Sequence, residues 1–143
     1  MDRAPHAETT APDDRLPIDF SGACDLVGYR SSLTEGRGGA CSLEVGPQHL
    51  NRVGLLHGGF VSMLLDNACG IAIRNEIGDI DAALVTMTLS VNFLSGVSEG
   101  RVVATGRVVG GGRSVKFAEA ELKDDAGRLL ATGHTSFKII GKK

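Results

Sequence analysis

Apolar and polar residues change period several times along this chain. Over residues 26–45 two strand-like runs flank Glu35-Gly36-Arg37-Gly38-Gly39, which predicts a hairpin with a glycine-rich loop. Residues 47–56 read as a connector. From Gly58 to about Ile77 the period becomes helical. Val61, Leu64, Leu65, Ala68 and Ala72 share one face at i, i+3, i+4 spacing. Phe60, Met63 and Ile73 extend apolarity around the cylinder, so protein should cover this helix on most sides. Gly78 is its expected C-terminal cap.

After the helix the pattern alternates. Val85, Met87, Leu89, Val91 and Phe93 interleave with Thr86, Thr88, Ser90 and Asn92, predicting a strand with one apolar and one hydroxyl-rich face. Strands at 101–109, 114–123 and 129–139 follow, divided by turns at 97–100, 110–112 and 124–127. Alternation slips near Ala118, which predicts a bulge there. Two strands, one long helix and a four-strand meander argue an α+β fold. Its antiparallel sheet, of about five to six strands, curves around the central helix. The uncovered helix strip and the strand edges invite a second copy, so a homo-oligomer is expected, a dimer or a dimer of dimers.

Residues 18–143 read as a single domain. Residues 1–17, rich in Pro, Asp, Ala and Thr, read as a disordered leader without the apolar stretch of a secretory signal. The 15 basic and 17 acidic side chains nearly cancel, and no basic stripe suggests nucleic acid or an anionic membrane. No apolar run has the length of a membrane-spanning helix. Cys24, Cys41 and Cys69 are odd in number and lack metal-ligand spacing, which predicts free thiols in a reducing cytoplasm. No His/Cys/carboxylate cluster has ligand spacing, so neither metal nor cofactor is expected. Glycine is abundant, 20 of 143 residues, without any repeat period.

Candidate chemistry lies between Asn51 and Gly70. Asp66 is a carboxylate among Met63, Leu64, Leu65, Ala68 and Cys69, a costly neighbourhood unless the charge is paired or used. His57-Gly58-Gly59 opens the helix. Unpaired N–H groups and close backbone access at such a terminus suit a carbonyl oxygen that gains charge during attack. The same residues also suit plain packing and capping. His57 could orient the loop or donate a hydrogen bond. Asp66 follows Gly58 by eight residues, about 12 Å along the axis at 1.5 Å per residue. Their joint use in one reaction therefore requires two subunits. A desolvated carboxylate can act as general base toward water or as a nucleophile.

The set Asn51-x-x-Gly54-x-x-His57-Gly58-Gly59, followed by Asp66 in an apolar helix, resembles hotdog-fold acyl-CoA thioesterases of the phenylacetic-acid-degradation (PaaI-like) type. Residues 85–94 (VTMTLSVNFL) and 127–133 (GRLLATG) resemble it too, and the likeness spans about 20–140. It implies a hotdog fold, an acyl-CoA substrate and sites formed between subunits. It implies that Asp66 is the catalytic carboxylate and that the Gly58 N–H polarises the thioester carbonyl. Asn51 and His57 would help hold the carbonyl and the water. Thr86 falls where such enzymes often carry a Ser or Thr that aids the water. A solvent-facing threonine is the competing reading.

Gly59 and Met63 are expected to line the substrate pocket, where Ile73 and Phe93 also shape the space. Gly110-Gly111-Gly112-Arg113-Ser114 precedes a strand rather than a helix and lacks Gly-Lys-Ser/Thr, so it is no nucleotide P-loop. In similar thioesterases this region lies near the coenzyme A tail, making Arg113 and Ser114 candidates for phosphate, with Arg74 or Arg107 as substitutes. Two rival activities fit the same fold: a dehydratase of hydroxyacyl thioesters using His57 and Asp66, and a non-catalytic acyl-CoA sensor. The acyl group, small aryl or medium-chain, is left open.

Overall fold

The computed structural model describes residues 18, 19 and 21–142; the expected leader at 1–17 lies outside them. Two helices, α1 (Gly22–Val27) and α2 (Gly58–Ile77), accompany six strands. These are β1 (Arg30–Thr34), β2 (Gly38–Val45), β3 (Ala82–Phe93), β4 (Gly100–Gly111), β5 (Val115–Asp124) and β6 (Leu129–Lys142). The strands form one antiparallel sheet in the order β1-β2-β4-β5-β6-β3. This sheet curls around α2, which touches every strand. The antiparallel sheet wrapped around one long helix, expected from the residue pattern, is present, and it has the hotdog arrangement that the family resemblance implies.

α2 begins and ends where its glycines predict, with Gly78 in the left-handed region at φ 74°. Its buried face carries Val61, Leu64, Leu65, Ala68 and Ala72, and Cys69 is fully buried beside them. The helix approaches the sheet at the Gly39–Gly106 pair of β2 and β4. A Cβ on Gly39 would lie 2.5 Å from the Ala72 nitrogen, and one on Gly106 would lie 2.6 Å from the Ala68 carbonyl oxygen. Two glycines opposite two alanines thus let helix backbone rest directly on sheet backbone. Asn75 fastens the helix to the β1–β2 hairpin, donating from Nδ2 to the Thr34 and Gly38 carbonyls at 3.1 and 2.7 Å.

Three expectations are corrected. Leu26 and Val27 are helical, not the start of a strand. Ser21 caps α1 by accepting from the Cys24 N–H, and Gly28 ends it at φ 89°, so local capping overrides an apolar run too short to show a period. The last four strands do not form a simple meander. β3 pairs with β6 at the far edge, leaving β4 to pair with β2. The Ala118 slip is not a bulge in β5: the extra residue is Val109 on the facing strand β4. The β5 pattern breaks because Lys116 turns toward α2 and pairs with Glu76 at 2.9 Å, while Phe117 is exposed.

β3 carries an exposed apolar edge. Val85 is 46% exposed, Met87 49% and Phe93 59%, far more than a half-buried strand shows in a closed core.

Candidate active site

Thr86 does not share a face with the other hydroxyl residues of its strand. Thr86 pairs with Phe137 of β6 and Thr88 pairs with Ser136, so Met87 is an extra residue on β3. One added residue reverses the side to which every later side chain points. Thr88 therefore meets Ser136 at 2.6 Å and Asn92 meets Thr132 on the outer face. Thr86 points inward and donates from Oγ1 to Asp66 Oδ1 at 2.8 Å. Thr86 remains exposed to solvent, but its hydroxyl is committed to Asp66 rather than free.

Burial pushes the Asp66 carboxyl above the usual carboxylate range, and the Thr86 hydrogen bond offsets part of that rise. A half-buried carboxylate with a raised pKa is a better proton acceptor than an exposed one. Thr86 occupies Oδ1, which leaves Oδ2 without a partner among the described residues. A groove of about 670 Å³ opens beside this pair and runs past Gly70, Leu84 and Phe137 to Arg74.

The other half of the expected set assembles at the start of α2. His57 caps the helix, its Nδ1 accepting from the Gly59 N–H at 2.8 Å. A ring nitrogen that accepts carries no proton, so the neutral imidazole bears its hydrogen on Nε2, and the ring is exposed. The Phe60 and Val61 N–H groups both bond to the His57 carbonyl. The Gly58 N–H has no acceptor among the described residues, as the first amide of a helix should. Asn51 folds the loop before it. Its Oδ1 accepts from the Val53 and Leu55 N–H groups at 3.0 and 3.1 Å, so its Nδ2 is the group left to face a ligand.

His49 supports this corner and was not singled out from sequence. It is 2% exposed. Its Nδ1 accepts from the Gly46 N–H at 2.9 Å, which makes Nε2 the donor to the Val27 carbonyl at 2.8 Å. Its own carbonyl accepts from the His57 N–H at 2.9 Å. The Phe60 ring meets its edge at a centroid distance of 5.3 Å. α1, the connector and the start of α2 are thus tied through one imidazole.

Within one chain the two halves do not meet. Eight residues of helix keep Asp66 about 12 Å from Gly58 along the axis. Gly59 is exposed at the helix start, and Met63, half-buried, packs against the core one turn before Asp66. Phe93 closes over the terminus, with ring atoms 3.3 Å from where a Gly58 Cβ would stand. Arg113 and Ser114 sit in the exposed β4–β5 turn, whose strands reach the C-terminal end of α2 through Lys116 and Glu76. Arg107 pairs with Glu119. Arg74 lines the groove, and burial holds its pKa below the usual arginine value. Among the described residues, no group of three His, Cys, Asp or Glu is placed to hold a metal ion.

Comparison with known proteins places this architecture. The family model of the thioesterase superfamily matches residues 53–131. Human acyl-coenzyme A thioesterase 13 is 32% identical over 99 residues, covering 66% of this chain and 69% of that protein. A conserved Pseudomonas aeruginosa protein of solved structure superposes with a TM-score of 0.79 at 27% identity, covering 86% of this chain and 97% of that one. The Escherichia coli PaaI protein of the phenylacetic acid degradation operon superposes with a TM-score of 0.76 at 19% identity, covering 86% and 87%. The matched family span runs through Gly58, Asp66 and Thr86, and the chain belongs to the thioesterase superfamily, with the hotdog fold it shares with PaaI.

Proposed function

We propose that this protein hydrolyses acyl-CoA thioesters at sites shared between two copies of the chain. The observation that carries this reading is the Asp66–Thr86 pair. A bulge turns Thr86 inward to hold one carboxylate oxygen while the other faces an open groove. The exposed β3 edge is the surface on which a second copy would dock, and an antiparallel pair of α2 helices would bring Asp66 of one copy to Gly58 of the other.

In this arrangement Asp66 accepts a proton from water through Oδ2, and the water oxygen bonds to the thioester carbonyl carbon. The carbonyl oxygen takes the electron pair and is stabilised by the Gly58 N–H of the facing copy, beside the His57 Nε2–H. Collapse re-forms the carbonyl and breaks the C–S bond. The thiolate of coenzyme A leaves and the proton on Asp66 returns to it. No cofactor enters these steps. Gly59 and Met63 lie on the helix that lines the acyl group, and Arg113 with Ser114 is assigned to the coenzyme A phosphates. Residues 18–143 act as the catalytic domain.

Thiol release from a panel of acyl-CoA thioesters, followed with a chromogenic trap, tests the activity. Release with kcat/KM above about 10⁴ M⁻¹s⁻¹ on at least one substrate is expected. A panel that binds but releases no thiol would replace the reading with an acyl-CoA sensor. Single turnover in ¹⁸O-water tests the step: general-base attack puts the heavy oxygen into the product acid in the first turnover. Attack by Asp66 itself would deliver its own light oxygen.

A further inference from the structure

We propose that Arg74 determines acyl specificity, selecting acyl groups that carry a neutral oxygen, a ketone or a hydroxyl, at the end remote from the thioester. This rests on the thioesterase reading above.

Asp66, Gly70 and Arg74 stand at i, i+4 and i+8 and line the same groove. Arg74 leans back over Gly70 toward Asp66: its Nη1 lies 3.4 Å, and the Phe137 ring 3.5 Å, from where a Gly70 Cβ would stand, both ordinary contact distances. Arg74 Nε donates to the Ala82 carbonyl at 3.0 Å, which fixes the plane of the guanidinium. Its Nη groups have no hydrogen-bond partner among the described residues. The groove lining includes the apolar Ile71, Leu84 and Phe137, with Asn67 and Thr86 as polar neighbours of Asp66. An acyl chain attacked at Asp66 therefore has roughly one helical turn to cross, about 6 Å, past Gly70 and Phe137 before it reaches N–H groups that need an acceptor.

Charge decides which acceptor. The Asp19, Asp79 and Asp81 carboxylates all act on Arg74. Three acidic groups around one guanidinium leave that end of the groove net negative and repel a carboxylate. A ketone or hydroxyl oxygen accepts the same hydrogen bonds without meeting that repulsion. A hydrocarbon end would strip water from the Nη groups and return nothing, which is how a polar site rejects an analogue lacking its partner.

The test compares kcat/KM for hexanoyl-CoA, 5-oxohexanoyl-CoA and glutaryl-CoA, with wild type and Arg74→Leu. Wild type should prefer the oxo substrate about tenfold or more over each of the others, the size of one hydrogen bond to a charged group. Arg74→Leu should bring the oxo-to-hexanoyl ratio to about two or below. Equal wild-type turnover of the oxo and plain substrates overturns the proposal. So does a preference for glutaryl-CoA, or a ratio that survives in Arg74→Leu. The wild-type ratios decide the matter even if the variant does not fold. Hexanoyl-CoA hydrolysed without discrimination, or none of the three hydrolysed while other acyl-CoA thioesters are, refutes this assignment alone, whereas thiol release from no acyl-CoA thioester refutes the underlying activity.

Discussion

On one side of α2, Ala68 and Ala72 press against Gly39 and Gly106; on the other, Asp66 and Gly70 face β3 and an open groove. Both sides contain a glycine, but only on the closed side does the packing demand one. Gly39 and Gly106 bring two backbones into contact and leave no space. Gly70 lines the groove, where a Cβ would meet Arg74 and Phe137 only at ordinary contact distance. The closed side holds the helix in place, so the open side can keep a carboxylate half-buried and partly unpaired without the helix shifting to hydrate it. Stability and chemistry are thus divided between two faces of one helix.

That division can be broken first on the open side. Asp66→Ala should lower kcat by about 10³-fold or more while far-UV circular dichroism stays native. The same position tests the cost of holding the charge. A carboxyl whose pKa is raised by folding adds stability below its unfolded pKa and loses it as pH rises through the folded pKa. Asp66→Asn should therefore melt higher than wild type at pH 7 and no higher at pH 3. An unchanged melting point at pH 7 would contradict the burial argument.

The closed side predicts the reverse. Gly106→Ala should cost about 3 kcal/mol in denaturant unfolding, because a Cβ 2.6 Å from the Ala68 carbonyl oxygen must push helix from sheet. Whatever folds should retain a raised acid limb in its pH profile. At the corner that joins the two sides, His49→Ala leaves the Gly46 N–H and the Val27 carbonyl without partners. A loss of about 2–4 kcal/mol is expected by chemical denaturation.

The smallest effect should come from the bulge. Thr86→Val removes the donor that lowers the Asp66 pKa. The acid limb of kcat/KM, which rises as Asp66 ionises, should move to still higher pH, with kcat about tenfold lower. Movement toward lower pH would mean that Thr86 acts on something other than the carboxylate.

Much of this was legible from residues alone. The bounds of α2 follow from Gly58 and Gly78, and Asp66 stands out because nothing nearby in sequence excuses a charge. What was not legible depends on pairing between distant segments. The inward turn of Thr86 is a matter of register with Phe137 and Ser136, and no local pattern of β3 contains it. The position of β3 at the far edge follows from its pairing with β6 rather than β4. α1 spans six residues, too few for a helical period, although Ser21 and Gly28 bracket it with cap chemistry. His49 sits in a stretch that reads as a connector, and its acceptor at Val27 lies 22 residues away.

Subunit complementation tests most directly whether Asp66 and Gly58 meet across two chains. Asp66→Ala removes the acid. Gly58→Pro removes the N–H while Pro remains welcome at a first helical position, and His57, at ψ 136°, already has the extended backbone that precedes proline. Each variant alone should be inactive. Mixed in equal amounts and allowed to exchange, half the dimers would be mixed and each would hold one intact site, restoring about a quarter of wild-type activity. Mixed dimers that form, as shown by native mass spectrometry, yet stay inactive would contradict the shared site.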